Sequence, residues 1–272
     1  GDKLPAADPG DICLEGPFKK IYRYRCLIRR ISGEHTKVYF SGPSWGRLLP
    51  MNLNAVFFHN QILDPIIYYK MLTKNILMLH ASAVGQGGKA YLFSGASGAG
   101  KTSLAFRFIN IGYRFLGDDT IFVSSDRIAF SYPKRVHYFS YLKKKNPFLK
   151  IPMGKAVSAR LREMARMVLS AVFKENFYFS TRMRINSLFP DALYMDKGSL
   201  DTIFLVRTEK PADLNDAVFL SDARDFLLNV MLVGRRDLVG RIQGIESSIM
   251  GNITKGAKIV LSALDEVKID KL

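Results

Sequence analysis

The sequence predicts a mixed α/β fold with a small β-rich region in front, and three observations carry that prediction. The run GASGAGKT at Gly95–Thr102 matches G-x-x-x-x-G-K-[ST] and stands between an apolar strand, Ala90–Phe93, and a helix, Lys101–Asn110, that stops near Gly112. Residues 1–75 alternate short apolar runs with turn residues. Beyond the loop, strand-like segments alternate with helical periodicity rather than repeating at a fixed interval, which argues against a solenoid.

Taken in order, Ile21–Ile31, Lys37–Phe40 and Asn54–His59 read as strands, punctuated by Gly33, Gly42, Pro43, Gly46 and Pro50. Ile76–Val84 and Lys89–Phe93 flank Gly85-Gln86-Gly87-Gly88, a hairpin signal that delivers the second strand straight into the loop. Tyr113–Leu116 and Thr120–Val123 read as two more strands around Asp118-Asp119, and Ser124-Ser125-Asp126 as a turn. Val157, Leu161, Met164, Val168 and Val172 share one helical face. Such a face is expected to pack on its own core, with a membrane-surface or partner-binding role as the other reading of a basic amphipathic helix. A strand at Thr202–Val206, helical material over Asp222–Met250 and a closing strand at Lys258–Leu264 complete the expectation. Two domains follow: 1–75, β-rich, and 76–272, built around the loop.

Composition narrows the class. With 48% hydrophobic and 24% charged residues, the 272-residue chain has an ordinary globular balance. No apolar run approaches the roughly 18 residues of a membrane span, and GDKLPAADPG lacks the features of a secretory leader, so a cytoplasmic location is expected. Cys13 and Cys26 have neither zinc nor redox spacing and read as reduced structural thiols. The net charge of +16 is concentrated: residues 131–190 hold thirteen Lys or Arg against Glu163 and Glu175, whereas 191–272 are slightly acidic.

The loop chemistry explains its residues. Gly95 and Gly100 let the backbone turn tightly and present N–H groups to phosphate oxygens, Gly98 keeps the middle permissive, and Ala96, Ser97 and Ala99 complete the cradle. The anion sits at a helix N-terminus, where Lys101 reaches the outer phosphates and the Thr102 hydroxyl completes the shell of Mg²⁺. Two adjacent carboxylates, Asp118 and Asp119, close a strand expected to neighbour the loop's strand, one to hold the metal and the other to take a proton from an attacking hydroxyl. By itself, Gly117-Asp118-Asp119 also suits a plain turn, and a histidine in an apolar strand, His80, also suits a core position.

Reading outward from the loop, LHASAVG at Leu79–Gly85, GASGAGKTSLA, and GYRFLGDD at Gly112–Asp119 resemble the catalytic domain of HPr kinase/phosphorylase and the HPr-kinase-like serine kinases. The resemblance covers residues 76–130 well and the C-terminal part more weakly. It implies a P-loop kinase core of the HPr kinase/PEP carboxykinase-like type with a mixed sheet, and ATP and Mg²⁺ as cofactors. It also implies Asp118 as the catalytic carboxylate, Asp119 as the metal-associated one beside Thr102, and His80 as a group that sets the local proton balance. The E-x-R-G-x-G stretch of HPr kinases proper is absent between Asp126 and Gly154, which shifts the resemblance toward stand-alone relatives with other acceptors, such as free serine or peptides.

The expected function is therefore transfer of the γ-phosphoryl group of ATP to an alcohol, a serine hydroxyl first, on an acidic or phosphorylated acceptor drawn in by the basic segment. Arg135, Arg182 and Arg184 are candidates to brace the transferring group. Two other classes stay open. The cations of 131–190, interleaved with Tyr132, Tyr138, Phe139, Tyr141, Phe148 and Phe177–Phe179, suit a nucleic acid, and a nucleotide-binding regulatory protein would need only the loop.

Overall fold

The computed structural model describes residues 4–18, 22–44, 53–132, 134–174, 181–206 and 268–271. Their contacts divide at Asn75 and Ile76 into two compact units. Asp222–Met250, Lys258–Leu264 and Phe177–Phe179, read above as helix, strand and base-stacking aromatics, lie outside the described residues.

In the first unit, β1 (Ile12–Phe18), β2 (Tyr22–Arg29) and β3 (Lys37–Ser41) form an antiparallel sheet in that order. Tyr22, Tyr24 and Cys26 alternate inward along β2, as a half-buried strand requires. Both cysteines are free thiols, and burial, with Cys13 adding to it, pushes Cys26 up to about 12. The strand expected at Asn54–His59 is instead helical: α1 (Leu53–Phe57), a π-helical turn (Phe58–Leu63) and α2 (Asp64–Leu72) run without interruption. The buried residues Phe57, Ile62, Ile66 and Tyr69 explain the difference. They recur once per turn rather than at every second residue, and the one five-residue step falls in the π turn, whose hydrogen bonds span five residues. Phe57 stacks on Tyr22 at 4.7 Å, while the Asn54 side chain accepts from the Tyr22 hydroxyl at 2.6 Å and donates to the Pro43 carbonyl at 3.1 Å.

The second unit is mixed α/β around a large mixed sheet. Its strands are β4 (Ile76–Leu79), β5 (Ala81–Gln86), β6 (Lys89–Gly95), β7 (Arg114–Gly117), β8 (Ile121–Ser124), β9 (Ile128–Ser131), β12 (Lys197–Val206) and β13 (Lys268–Lys271), in the order β4-β8-β9-β12-β6-β5-β7, with β13 beside β12. The hairpin β5–β6 turns at Gly87-Gly88, with Gln86 opposite Lys89. Ile76–Val84 is not one strand: it breaks at His80, so β4 pairs with β8 while β5 pairs with β6 and β7. β12 runs parallel to β6, and β5 runs antiparallel to both β6 and β7. Hence the end of β6, the end of β7 and the start of β5 meet at one edge of the sheet. The aspartate-bearing strand β7 is not the neighbour of β6, as expected, because β5 lies between them.

Helix α3 (Lys101–Asn110) packs Ala105, Phe106 and Ile109 onto the sheet, where Val84, Phe93, Phe115 and Val206 meet them. A ribbon of β10 (Val136–Tyr138) and β11 (Thr181–Met183) joins the same core through Val136, Tyr138 and Met183, as does Leu142 of α4 (Ser140–Lys145). The long helix α5 (Met153–Phe173) overturns the expected packing. Val157, Leu161, Met164 and Val168 point outward, and the line Ala156, Ala159, Glu163, Ser170 is turned inward. On the inner side the Glu163 carboxylate accepts the Ser140 backbone N–H at 2.6 Å and the Ser140 hydroxyl, at the start of α4.

Candidate phosphate-binding site

The loop Gly95–Thr102 leaves β6 and enters α3 directly. Gly95 has no room for a side chain: a Cβ there would stand 2.4 Å from the Val206 carbonyl oxygen of the parallel neighbour β12. Gly98 and Gly100 have φ of 85° and 106°, the left-handed region that a Cβ disfavours. The crest Ala96–Gly98 is exposed, and the first N–H groups of α3, which lack helical acceptors, face it.

Lys101 is nearly buried, and its ammonium donates to the carbonyls of Gly95 at 2.8 Å and Ala96 at 2.9 Å, so it lies folded against the loop. Burial pushes its pKa below the ordinary lysine value, opposed by the negative charges of Asp119 and Asp118. Thr102, one residue on, donates its hydroxyl to Asp118 Oδ1 at 2.8 Å.

The two aspartates occupy different surroundings. Asp118 is 2% exposed, and the same Oδ1 also accepts the Ser82 hydroxyl at 2.6 Å, while Oδ2 lies 3.4 Å from the His137 backbone N–H that donates to it. Asp119 sits at φ 68°, a conformation that Asp tolerates better than most residues. That backbone turns both its carbonyl and its carboxylate toward His80 Nδ1, at 2.9 and 3.2 Å. Its carboxylate also lies 3.9 Å from His137 Nε2. Burial pushes the Asp119 carboxyl up, but the hydrogen bond from His80 with the nearby His137 and Lys134 overrides this and holds it well below the usual carboxylate range. Burial also lowers His137, against Asp119 and with Arg182 reinforcing it.

The chain thus brings together His80 from the β4–β5 break, Gly95–Thr102 from the loop, and Asp118-Asp119 from the end of β7. It adds Ser82 and His137, which sequence reasoning passed over. Ser82 is a hydroxyl two residues past His80 in a strand of small residues, a weak signal; His137 stands in the basic segment with no spacing to mark it. On the β10–β11 ribbon, His137 is paired with Arg182, opposite in face to the buried Val136, Tyr138, Thr181 and Met183. Arg135 and Arg184 are exposed and not part of that face.

Among the described residues no group of three or more His, Cys, Asp and Glu forms a protein-only metal cage. Magnesium asks for less, since it keeps several waters and takes one or two protein oxygens beside phosphate. The Thr102 hydroxyl and Asp118 carboxylate, already in contact below the loop, are a donor pair of that kind. No described helix is long and apolar enough to cross a membrane. Compared with known proteins, the chain matches no family model and no curated protein.

Proposed function

We propose that the chain is an ATP-dependent kinase that transfers the γ-phosphoryl group to a hydroxyl acceptor, a serine in a peptide, a protein or the free amino acid. The observation that carries this reading is the hydrogen bond from Thr102 to the buried Asp118, which ties the phosphate loop to the end of β7 and leaves Asp119 as the open carboxylate at the same edge. The resemblance to HPr-kinase-like serine kinases supports it in the order and spacing of His80, the loop and the two aspartates.

The hydrogen bonds favour exchanging the roles that the resemblance suggests for the acids. Asp118, bonded to Thr102 and Ser82, belongs to the magnesium side; the ion, when bound, neutralises phosphate charge. Asp119, about one-third exposed and oriented by His80, faces the acceptor. The acceptor hydroxyl donates to Asp119, and as its oxygen forms the new bond to the γ-phosphorus, the bridging oxygen leaves with ADP and the proton passes to the carboxylate. Lys101 swings from the carbonyls of Gly95 and Ala96 to the phosphates, a short move for a flexible stem. Lys134 and Arg182 give the acceptor side a positive rim that suits an acidic or phosphorylated substrate. Of the aromatics in the nucleic-acid reading, Tyr138 is buried and Phe139 and Phe148 pack against the core, whereas Tyr141 is exposed.

The test is transfer from γ-labelled ATP to serine and to acidic serine peptides, with ATP affinity measured in parallel. Asp119→Asn is expected to keep ATP binding and lose transfer by about 10²-fold or more, the scale of a missing proton acceptor. Lys101→Ala should weaken both, and Asp118→Asn should raise the magnesium concentration required. Undiminished transfer by Asp119→Asn and Asp118→Asn would remove the proposed mechanism.

A further inference from the structure

Of the arginines Arg135, Arg182 and Arg184, the β10–β11 ribbon brings Arg182 to the aspartates. His137 and Arg182 are direct partners across the ribbon and share its less buried face, while Val136, Tyr138, Thr181 and Met183 are buried on the other. Side chains paired in this way are neighbours, with Cβ atoms about 4.5–5.5 Å apart. His137 in turn places Nε2 3.9 Å from Asp119 Oδ2, and the two side chains are 27% and 35% exposed, open enough for a substrate to reach them. One side chain therefore separates Arg182 from the open carboxylate, and the guanidinium is close enough to act on the His137 imidazole. From a different segment, Lys134 brings Nζ to 3.4 Å from the hydroxyl of Thr120, the residue after Asp119.

We propose that Arg182 binds an anionic group of the phosphoryl acceptor, so that the acceptor carries a carboxylate or phosphate a few bonds from the hydroxyl that is phosphorylated. This inference rests on the kinase reading and names the substrate class of that site. The charge of the nucleotide has other partners in that reading: the loop N–H groups, Lys101, and the magnesium side at Thr102 and Asp118. Arg182 follows Asp119 instead, the acid on the acceptor side. Its planar fork holds a carboxylate or phosphate through two parallel hydrogen bonds, which the point charge of a lysine does not supply. The pairing also sets the spacing, since an anion on Arg182 and a hydroxyl on Asp119 have only His137 between them. A free hydroxy amino acid meets that spacing with its own carboxylate, and a peptide meets it with an acidic residue or a phosphoserine beside its serine.

The experiment measures kcat/KM for transfer from γ-labelled ATP to paired acceptors that differ in one anionic group. The pairs are L-serine with L-serinamide, and end-blocked peptides in which Ser-Asp is matched with Ser-Asn and Ser-phosphoserine with Ser-Ser. In at least one pair the charged acceptor is expected to be favoured about tenfold or more, the scale of a hydrogen bond to a charged group. The pair that shows it identifies the source of the anion. Arg182→Gln should erase that preference through the acceptor KM, while Arg135→Gln and Arg184→Gln, at exposed positions off this face, should keep it. Each ratio is taken within one variant, so partial loss of folded enzyme cancels. Equal use of charged and neutral acceptors by the wild type overturns the proposal, as does a preference that survives Arg182→Gln or falls equally in the other two variants. A fall in kcat shared by charged and neutral acceptors would give Arg182 to the transferring phosphoryl group and overturns it too. No transfer to any acceptor removes the kinase reading and this inference together, whereas transfer that ignores the acceptor's charge removes this inference alone.

Discussion

At Gly95 the structure itself gives a reason for glycine, a neighbouring strand. A methyl group there would press on the Val206 carbonyl at 2.4 Å, so Gly95→Ala must part β6 from β12. Overpacking of this kind costs about 1–3 kcal/mol; urea unfolding of the ligand-free chain should show the loss in midpoint, with nucleotide affinity falling as the loop shifts. Asp119 and His137 give a second test at this scale. Both are held below the values they take in an unfolded chain, so on acidification the unfolded state binds protons first and stability falls. The His137 contribution is complete above its ordinary value of about 6.5 and is lost as pH drops below it; that of Asp119 follows, below about 3.9. Thermal unfolding without ligand should therefore show a midpoint that declines from neutral pH toward about pH 5, and His137→Gln should flatten that segment while leaving the lower one.

Among the elements, β6 and α3 are coupled by aromatic packing. Phe93 is fully buried and meets Phe204 of β12 at 5.5 Å and Phe108 of α3 at 5.2 Å. Phe93→Ala should cost about 3–5 kcal/mol in denaturant unfolding, and because it loosens both arms of the loop, nucleotide affinity should drop as well. The strand, loop and helix around Gly95–Thr102 were legible because each is written locally, in a short apolar run, a glycine pattern and a helical period. The break at His80 was not: Leu79 and Ala81 are equally apolar, and only their pairing with different partners, β8 and β6, separates the strands. The helix at Leu53–Leu72 was misread because one five-residue step blurred its period. In α5 the apolar stripe was seen, but the face that meets the rest of the chain, where Glu163 reaches Ser140, is set between elements and is not contained in the periodicity.

For the whole molecule, part of the positive charge of the basic segment stands by the site, where Lys134 and Arg182 lie close to Asp119 and His137. The amino-acid sequence by itself determined the mixed α/β class and the strand, glycine loop and helix at Ala90–Asn110, because glycine geometry and apolar period act over a few residues at a time. Only the tertiary structure decided that β5 separates β6 from β7, that Asp118 turns to Thr102 and Ser82 while Asp119 turns to His80 and His137, and that α5 faces outward. Those choices rest on strand order and on side chains brought together from distant parts of the chain, where burial and hydrogen bonding, not local propensity, set the lowest free energy.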